Sequence, residues 1–437
     1  MSRPPSVAQT AGRSKVVAWA LWDCGSTGMN AIVATFVFAV YLTSTVGHGL
    51  PGGTSPASWL GRALAIAGLT VAVLAPLTGV LVQAPQRRRA ALTILSGLAV
   101  VSTAAMSLIR AEPAYFAMGL VLLAFTAACG DLASVPYNAM LRQLTTPQNS
   151  GRISGVGAAA GYFGSVALLI VIYTCFIAGN GPERGLFGVP IDDGQNVRAA
   201  MLMAAAWFVV LALPLLITAH TLAPIELEPA PVAQASGYRQ LWNDLRAEWR
   251  RDRNLVYYLI VSAIFRDGIA GVFAFGAVLG VGVYGISQAN VLIFGVIASS
   301  MAALGAVLAG PVDDRIGGKP VIVASLTLMI AVGLTLLSLS GPIVFWICGL
   351  LLALCVGPVT TSARTVLLRM VSDGKEAVAF GLYTTTGRAA SFLAPWLFFM
   401  FVDAFHADRA GLGGLCVVLT VGLLGMLLVK VPNHRTV

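Results

Sequence analysis

Gly310-Pro311-Val312-Asp313-Asp314-Arg315-Ile316-Gly317-Gly318-Lys319 is a short polar break between two long apolar runs, 289–312 and 319–339. An α-helix rises about 1.5 Å per residue, so roughly 20 apolar residues cross a bilayer's hydrocarbon layer. Both flanking runs pass that test, and the break is too short to be anything but a turn at the membrane face. Working outward, further runs lie at 16–45, 60–83, 90–110, 113–141, 152–178, 197–220, 255–284, 342–369, 377–403 and 411–430. With the first two they make twelve spans, an even number that returns both termini to one side.

Composition agrees. Of 437 residues, 57% are hydrophobic and 10% charged, against about 25% charged in an ordinary soluble domain. So few charges cannot cover a water-facing surface, which excludes a water-soluble enzyme. The net charge of +9 does not point to nucleic acid, because the basic residues are scattered in small groups between apolar runs. With the N-terminus inside, nineteen of them fall on inner segments and five on outer ones. The positive-inside rule then puts both termini in the cytoplasm of a multi-pass protein of the cytoplasmic membrane. The six cysteines lie in or beside apolar runs with no CxxC spacing and read as packing residues. The first apolar run is too long for a cleavable signal peptide.

Residues 221–254 form the longest polar stretch and divide the chain into 1–220 and 255–437. After a Pro/Glu segment, Tyr238, Leu241, Trp242, Leu245 and Trp249 recur at helical spacing opposite arginines. The pattern predicts an amphipathic helix on the inner leaflet. The halves repeat one another: Gly79 and Gly310 lie 231 positions apart, Arg142 and Arg369 227, Gly155 and Gly381 226. A near-constant offset marks a duplication of six spans, predicting two pseudo-symmetric six-helix bundles with the substrate site between them near the midplane.

The Gly310–Lys319 stretch resembles the G-x-x-x-D-R-x-G-x-K/R loop of the major facilitator superfamily; in the first half Gln83 stands where that loop has its aspartate. Trp19-Ala-Leu-Trp22-Asp23-Cys-Gly-Ser26 is similar to the opening of the vacuole-effluxer-like branch, the autophagy-related amino-acid effluxers. Pro136-Tyr137-Asn138-Ala139-Met140-Leu141 with Gly151-Arg152-Ile153-Ser154-Gly155 resembles a second segment of that branch. An aspartate early in span one with Asn30 two turns on more loosely resembles the ferroportins. The resemblance implies that spans one, four, seven and ten line a central cavity.

Asp23, Asp131, Arg266, Asp267, Arg364 and Arg388 lie inside spans. At about 2.5–3.5 kcal/mol each at a helix centre, six unpaired charges cost roughly 15–20 kcal/mol. They must pair, protonate or face a wet cavity, and each of the four cavity spans holds at least one. Helical spacing places Thr27 and Asn30 on the stripe of Asp23, and Asn138 on that of Asp131. These nine residues are the expected substrate and proton cavity. Arg142, Arg152, Asp314, Arg315 and Arg369 are expected to form a cytoplasmic gate.

A secondary active transporter of a small polar or zwitterionic solute follows, working by alternating access. Asp131 or Asp23 would carry a coupling proton, since desolvation favours a neutral carboxyl, and arginines would bind a carboxylate. An alternative cargo is divalent iron or manganese, with Asp23, Asn30 and Asp131 as oxygen ligands. A third reading is a non-transporting receptor or scaffold acting through 221–254. The four histidines lie at or beyond span ends and no P-loop occurs, so neither catalysis nor direct ATP drive is expected. The expected partners are the cargo and the lipid bilayer, with no cofactor and a monomeric protein.

Overall fold

A computed structural model describes residues 12–48, 50, 55–146, 148–179, 181–219, 253–286, 288–372 and 374–431. Twelve helices long and apolar enough to cross a membrane account for most of them. They are α1 Arg13–Val46, α2 Pro56–Leu81, α3 Gln86–Leu108, α4 Pro113–Leu144, α5 Ser150–Ile177 and α6 Asp192–Thr218. The second set is α7 Arg253–Gly276, α8 Ile293–Ile316, α9 Gly318–Ser338, α10 Pro342–Met370, α11 Glu376–Phe405 and α12 Asp408–Leu428. Every one matches a span expected from the sequence. The expected amphipathic helix at 238–250 lies outside the described residues.

Local chemistry explains the helix starts. Proline at the first turn of α2 and α10 costs no hydrogen bond, and the Ser55 side chain accepts from Ser58 N at 3.2 Å as the N-cap of α2. Inside α11, Pro395 cannot donate to residue 391 and its ring crowds that carbonyl. The helix breaks there into Glu376–Ala390 and Leu393–Phe405. The far half of α1 is irregular, with π-turns at Ala31–Phe36 and Leu42–Val46.

The helices form two bundles whose contacts repeat. In the first, α1 packs on α5 and α6, α4 on α2 and α3, and α3 on α6. In the second, α7 packs on α11 and α12, α10 on α8 and α9, and α9 on α12. Each contact maps onto its counterpart by adding six. The bundles meet along two seams, α5 against α8 and α2 against α11, which the same operation exchanges. Apolar side chains such as Leu69, Val101 and Ile343 stand exposed on the outer faces, as a lipid-facing surface requires.

The seams explain the repeated glycines. A Cβ on Gly155 would lie 2.5 Å from Ala306 O, and one on Gly381 2.6 Å from Ala75 O. Gly79 approaches Ala377 O and Gly310 approaches the backbone of Arg152 in the same way. Four glycines, two per half, let backbones touch where the bundles meet. These contacts cluster at the end carrying the 82–85 and 317 turns, here called the basic end. At the opposite end, a short hairpin pairs β1 Glu183–Arg184 with β2 Val189–Pro190.

Candidate functional site

Three layers of charge cross the space between the bundles. The middle one starts from aromatic packing. Trp19 and Trp22, one turn apart on α1, sandwich the Tyr137 ring of α4 at 4.6 and 4.4 Å between centroids. Trp19 Nε1 donates to Tyr137 O at 3.2 Å, and Trp22 Nε1 donates to Ser96 Oγ at 3.1 Å. Gly157 of α5 leaves room for the Trp19 ring, which a Cβ would strike. The two sequence stretches that resemble the effluxer branch are therefore one packing unit, and its product is a fixed Asp23.

Asp23 accepts from Thr27 Oγ1 at 3.2 Å and faces Arg364 of α10, with 3.7 Å between Nη1 and Oδ2. The pair joins the two bundles and is 13% and 16% exposed. Tyr137 and Tyr162 stand close enough to share its electrostatic field. Arg364 thus meets an acid instead of reaching out to the membrane surface.

Higher in the membrane, Asp131 of α4 is hydrogen-bonded and ion-paired to Arg388 of α11, again across the bundles. Counting about 1.5 Å per residue, both lie some 20 Å from the basic ends of their helices. Arg266 of α7 adds a second positive charge near Asp131. Its guanidinium lies 3.6 Å over the Tyr383 ring and donates to Tyr383 O at 2.9 Å. Asp267 does not join this group. It is 6% exposed, and its Oδ2 accepts the Ala394 N–H at 2.6 Å, capping the segment that the Pro395 break leaves without a partner. Its role is in holding α11, not in facing the cavity.

The third layer closes the basic end. Arg369 Nη1 meets the fully buried Asp313 at 2.5 Å, and its Nη2 donates to Ser150 Oγ of the other bundle at 3.0 Å. Thr365 Oγ1 donates to the other Asp313 oxygen at 2.6 Å. Asp314 accepts Gly151 N–H at 2.7 Å and Arg152 N–H at 3.2 Å, with the Arg152 side chain 3.5 Å away. Arg142 lies 3.9 Å from the buried Glu376. Four of the five expected gate residues come together here; Arg315 is exposed at the rim. Asp313, Glu376 and Ser150 were not singled out from sequence, being acids and a hydroxyl at span ends where charge is ordinary.

Of the remaining expected cavity residues, Asn30 is exposed at the first π-turn of α1. Asn138 is partly buried, its Oδ1 without a hydrogen-bond partner among the described residues. Among the described residues no three of His, Cys, Asp and Glu gather into a metal-holding group. The two carboxylates of the expected metal set each face an arginine instead.

Comparison with known proteins follows the same lines. A family model described as "Vacuole effluxer Atg22 like" matches residues 55–436. The chain is similar to the uncharacterized MFS-type transporter YxiO of Bacillus subtilis, 21% identical over 96% of this chain and 95% of that one. It is also similar to autophagy-related protein 22 of Yarrowia lipolytica, 23% identical over 65% of this chain and 51% of that one. It thus spans about half the length of that fungal relative. Among solved structures, the proton:xylose symporter XylE superposes with a TM-score of 0.73 at 14% identity, covering 97% of both chains. A bacterial homologue of the iron transporter ferroportin gives 0.63 at 13% identity over 95% and 97%. Likeness at such identity carries the twelve-helix fold alone.

Proposed function

The chain belongs to the vacuole effluxer Atg22-like family and is a transporter of the major facilitator type, and from that premise we propose that it moves a small polar or zwitterionic solute by alternating access. The movement is coupled to protons and crosses the cytoplasmic membrane. Residues 1–220 and 255–437 act as the rocking bundles, with 221–254 as linker. The basic end is cytoplasmic, because the basic loops gather there, and the layer of Arg369, Asp313, Ser150 and Asp314 joins the two bundles at that end.

The observation that carries this reading is a pair of ion pairs at two depths, Asp131 with Arg388 and Asp23 with Arg364, each joining one bundle to the other. A structural scaffold needs no such bridges, since the mostly buried Asp23–Arg364 pair costs desolvation and the more open Asp131–Arg388 pair adds little stability. A transporter can use them. A solute ammonium competes for Asp131 and a solute carboxylate for the arginines, so occupancy changes what holds the bundles together. A proton arriving on Asp131 releases Arg388 in the same way.

The test is Asp131→Asn in proteoliposomes. The variant keeps the shape of the side chain and cannot carry a proton. It is expected to lose uptake driven by a pH gradient while retaining exchange of solute; gradient-driven rates equal to wild type would remove Asp131 from the proton path. The ferroportin-like reading, with iron or manganese as cargo, finds no support in carboxylates already engaged by guanidinium groups.

A further inference from the structure

We propose that the hairpin between α5 and α6 docks on the lipid surface at the end opposite the basic one, with Leu186 and Phe187 seated at the border of headgroup and hydrocarbon. The turn that joins its two strands has residues unsuited to water. Gly185-Leu186-Phe187-Gly188 closes with Gly188 N–H donating to Gly185 O at 3.2 Å, which puts Leu186 and Phe187 at the two central places. A turn that ends in water usually carries Gly, Pro, Asn, Asp or Ser there. Here the two side chains are 82% and 64% exposed, and the nearby Ile191 is exposed as well. An apolar cluster held out in this way marks a contact with an apolar partner.

The tip is held in place because it completes α5. The last carbonyls of a helix lack partners within it. Thr174 O and Cys175 O accept from Leu186 N and Phe187 N at 3.0 and 3.4 Å, and Ala178 O accepts from Gly185 N at 2.7 Å. Gly185 allows this approach, since its φ is +68° and a Cβ there would strike Cys175 O. The Phe187 ring also meets Phe176, with 5.5 Å between centroids. The duplicated fold does not require such an element: α11 and α12, the counterparts of α5 and α6, are joined by residues 406–407 alone.

Position selects lipid as the partner. One side of α5 packs on α8 through Gly151 and Gly155, and another on α1 through Gly157, Gly161 and Gly164. Val156, Phe163 and Ile170 recur at seven-residue spacing on a third side and stand exposed, as does Thr174 one turn on. This stripe belongs to the lipid-facing surface, and Leu186, bonded to the Thr174 carbonyl, prolongs it. Height agrees. Arg152 is the last charged residue of α5, and Thr174 lies 22 positions beyond it. At about 1.5 Å per residue that is about 33 Å, against a hydrocarbon layer of about 30 Å. The tip therefore stands at the far border of the hydrocarbon, where aromatic side chains collect in membrane proteins.

The test places a nitroxide on single cysteines at Leu186 and Phe187, with Ile170 as the lipid reference and Asp192 as the water reference. Cys175→Ser provides the background, the other five cysteines being buried. With the full chain in phosphatidylcholine nanodiscs, power saturation compares collisions with oxygen, which concentrates in the bilayer, and with a water-borne nickel chelate. Neither involves cargo, so the outcome is independent of the transport reading. The oxygen-to-nickel ratio at both tip sites is expected to lie with Ile170 and to exceed that at Asp192 several-fold. A ratio equal to that at Asp192 would place the tip in water and overturn the proposal. Low access to both reagents, the mark of a protein partner such as a second copy, would overturn it too. Should the labelled variants fail to fold, a diazirine-bearing phosphatidylcholine photolabels the unmodified chain, read by mass spectrometry. Adducts within 184–188 are expected; adducts around Ile170 with none at 184–188 would overturn the proposal.

Discussion

A methyl group added at Gly155 or Gly381 should open the basic end. In the closed arrangement its carbon would stand 2.5 Å from Ala306 O at the first site and 2.6 Å from Ala75 O at the second, whereas ordinary contact begins at 3.4 Å. Each substitution therefore forces a seam apart by roughly 0.8–0.9 Å. Overpacking of this kind costs about 1–3 kcal/mol. The helix itself gains about 0.5–1 kcal/mol from alanine over glycine, but it gains this whether the seam is open or shut, so the term cancels. At about 1.4 kcal/mol per tenfold, the closed-to-open ratio falls about 5- to 140-fold per site. The two sites lie on different seams, α5 with α8 and α2 with α11, so their effects should multiply. The double variant then shifts the ratio by at least about 25-fold.

Pulsed electron paramagnetic resonance can read the shift. Arg87 and Arg315 are both exposed at the basic end on opposite bundles, which suits spin labels there. Five of the six cysteines are buried and Cys175 is partly so, so Cys175→Ser provides the background. Wild type should give a population at the closed distance. Gly155→Ala and Gly381→Ala should each add a longer component, and the double variant should be dominated by it. A helical, monodisperse double variant with the wild-type distance distribution would refute the argument that these glycines permit closure.

The buried Arg369–Asp313 pair makes a second prediction. Arg369→Gln leaves Asp313 buried without its cation and should cost about 3–5 kcal/mol in an unfolding titration, most of it recovered by adding Asp313→Asn; equal losses in the single and double variants would show that the charge is not the cause. Asp267→Asn replaces a charged acceptor at the α11 break by a neutral one and should cost about 1–2 kcal/mol. It should leave binding of the zwitterion L-valine unchanged, and a selective loss of binding would return Asp267 to the cavity.

Twelve spans and their duplication were legible because hydrocarbon imposes a length on every crossing segment and the repeat offset survives in glycines. Gly79, Gly155, Gly310 and Gly381 could be read as markers of the repeat, but not as the points of closest approach. That fact depends on which helices of opposite bundles face one another. The charges show the same divide. Six residues stood out by their cost in hydrocarbon, yet the sequence could not match Asp131 to Arg388 or Asp23 to Arg364, whose partners lie more than 250 positions away. Asp267 was grouped with the cavity because its depth was right. Pro395 was the available signal against it, since a mid-span proline breaks the helix and the segment that restarts begins with backbone N–H groups that need an acceptor.

The position of Gln83 shows how a missing charge can be replaced from elsewhere in a duplicated fold. In the second half, Asp314 accepts the first N–H groups of α5 and holds Arg152. The repeat assigns Gln83 the place of Asp314, toward the start of α11, and a neutral amide brings no charge there. The carboxylate comes from α11 itself: Glu376 is buried there, accepts Gly374 N–H at 3.1 Å, and faces Arg142. Its counterpart by the repeat is Ser150, the hydroxyl that receives Arg369. Each terminal arginine thus reaches the first residue of a helix in the other bundle, acid in one half and hydroxyl in the other. Asp313 supplies within its own bundle the charge that Ser150 lacks. Arg369 and Arg142 thus each meet a buried carboxylate, drawn from different positions of the repeat, while the loop aspartate Asp314 serves Arg152 in one half alone.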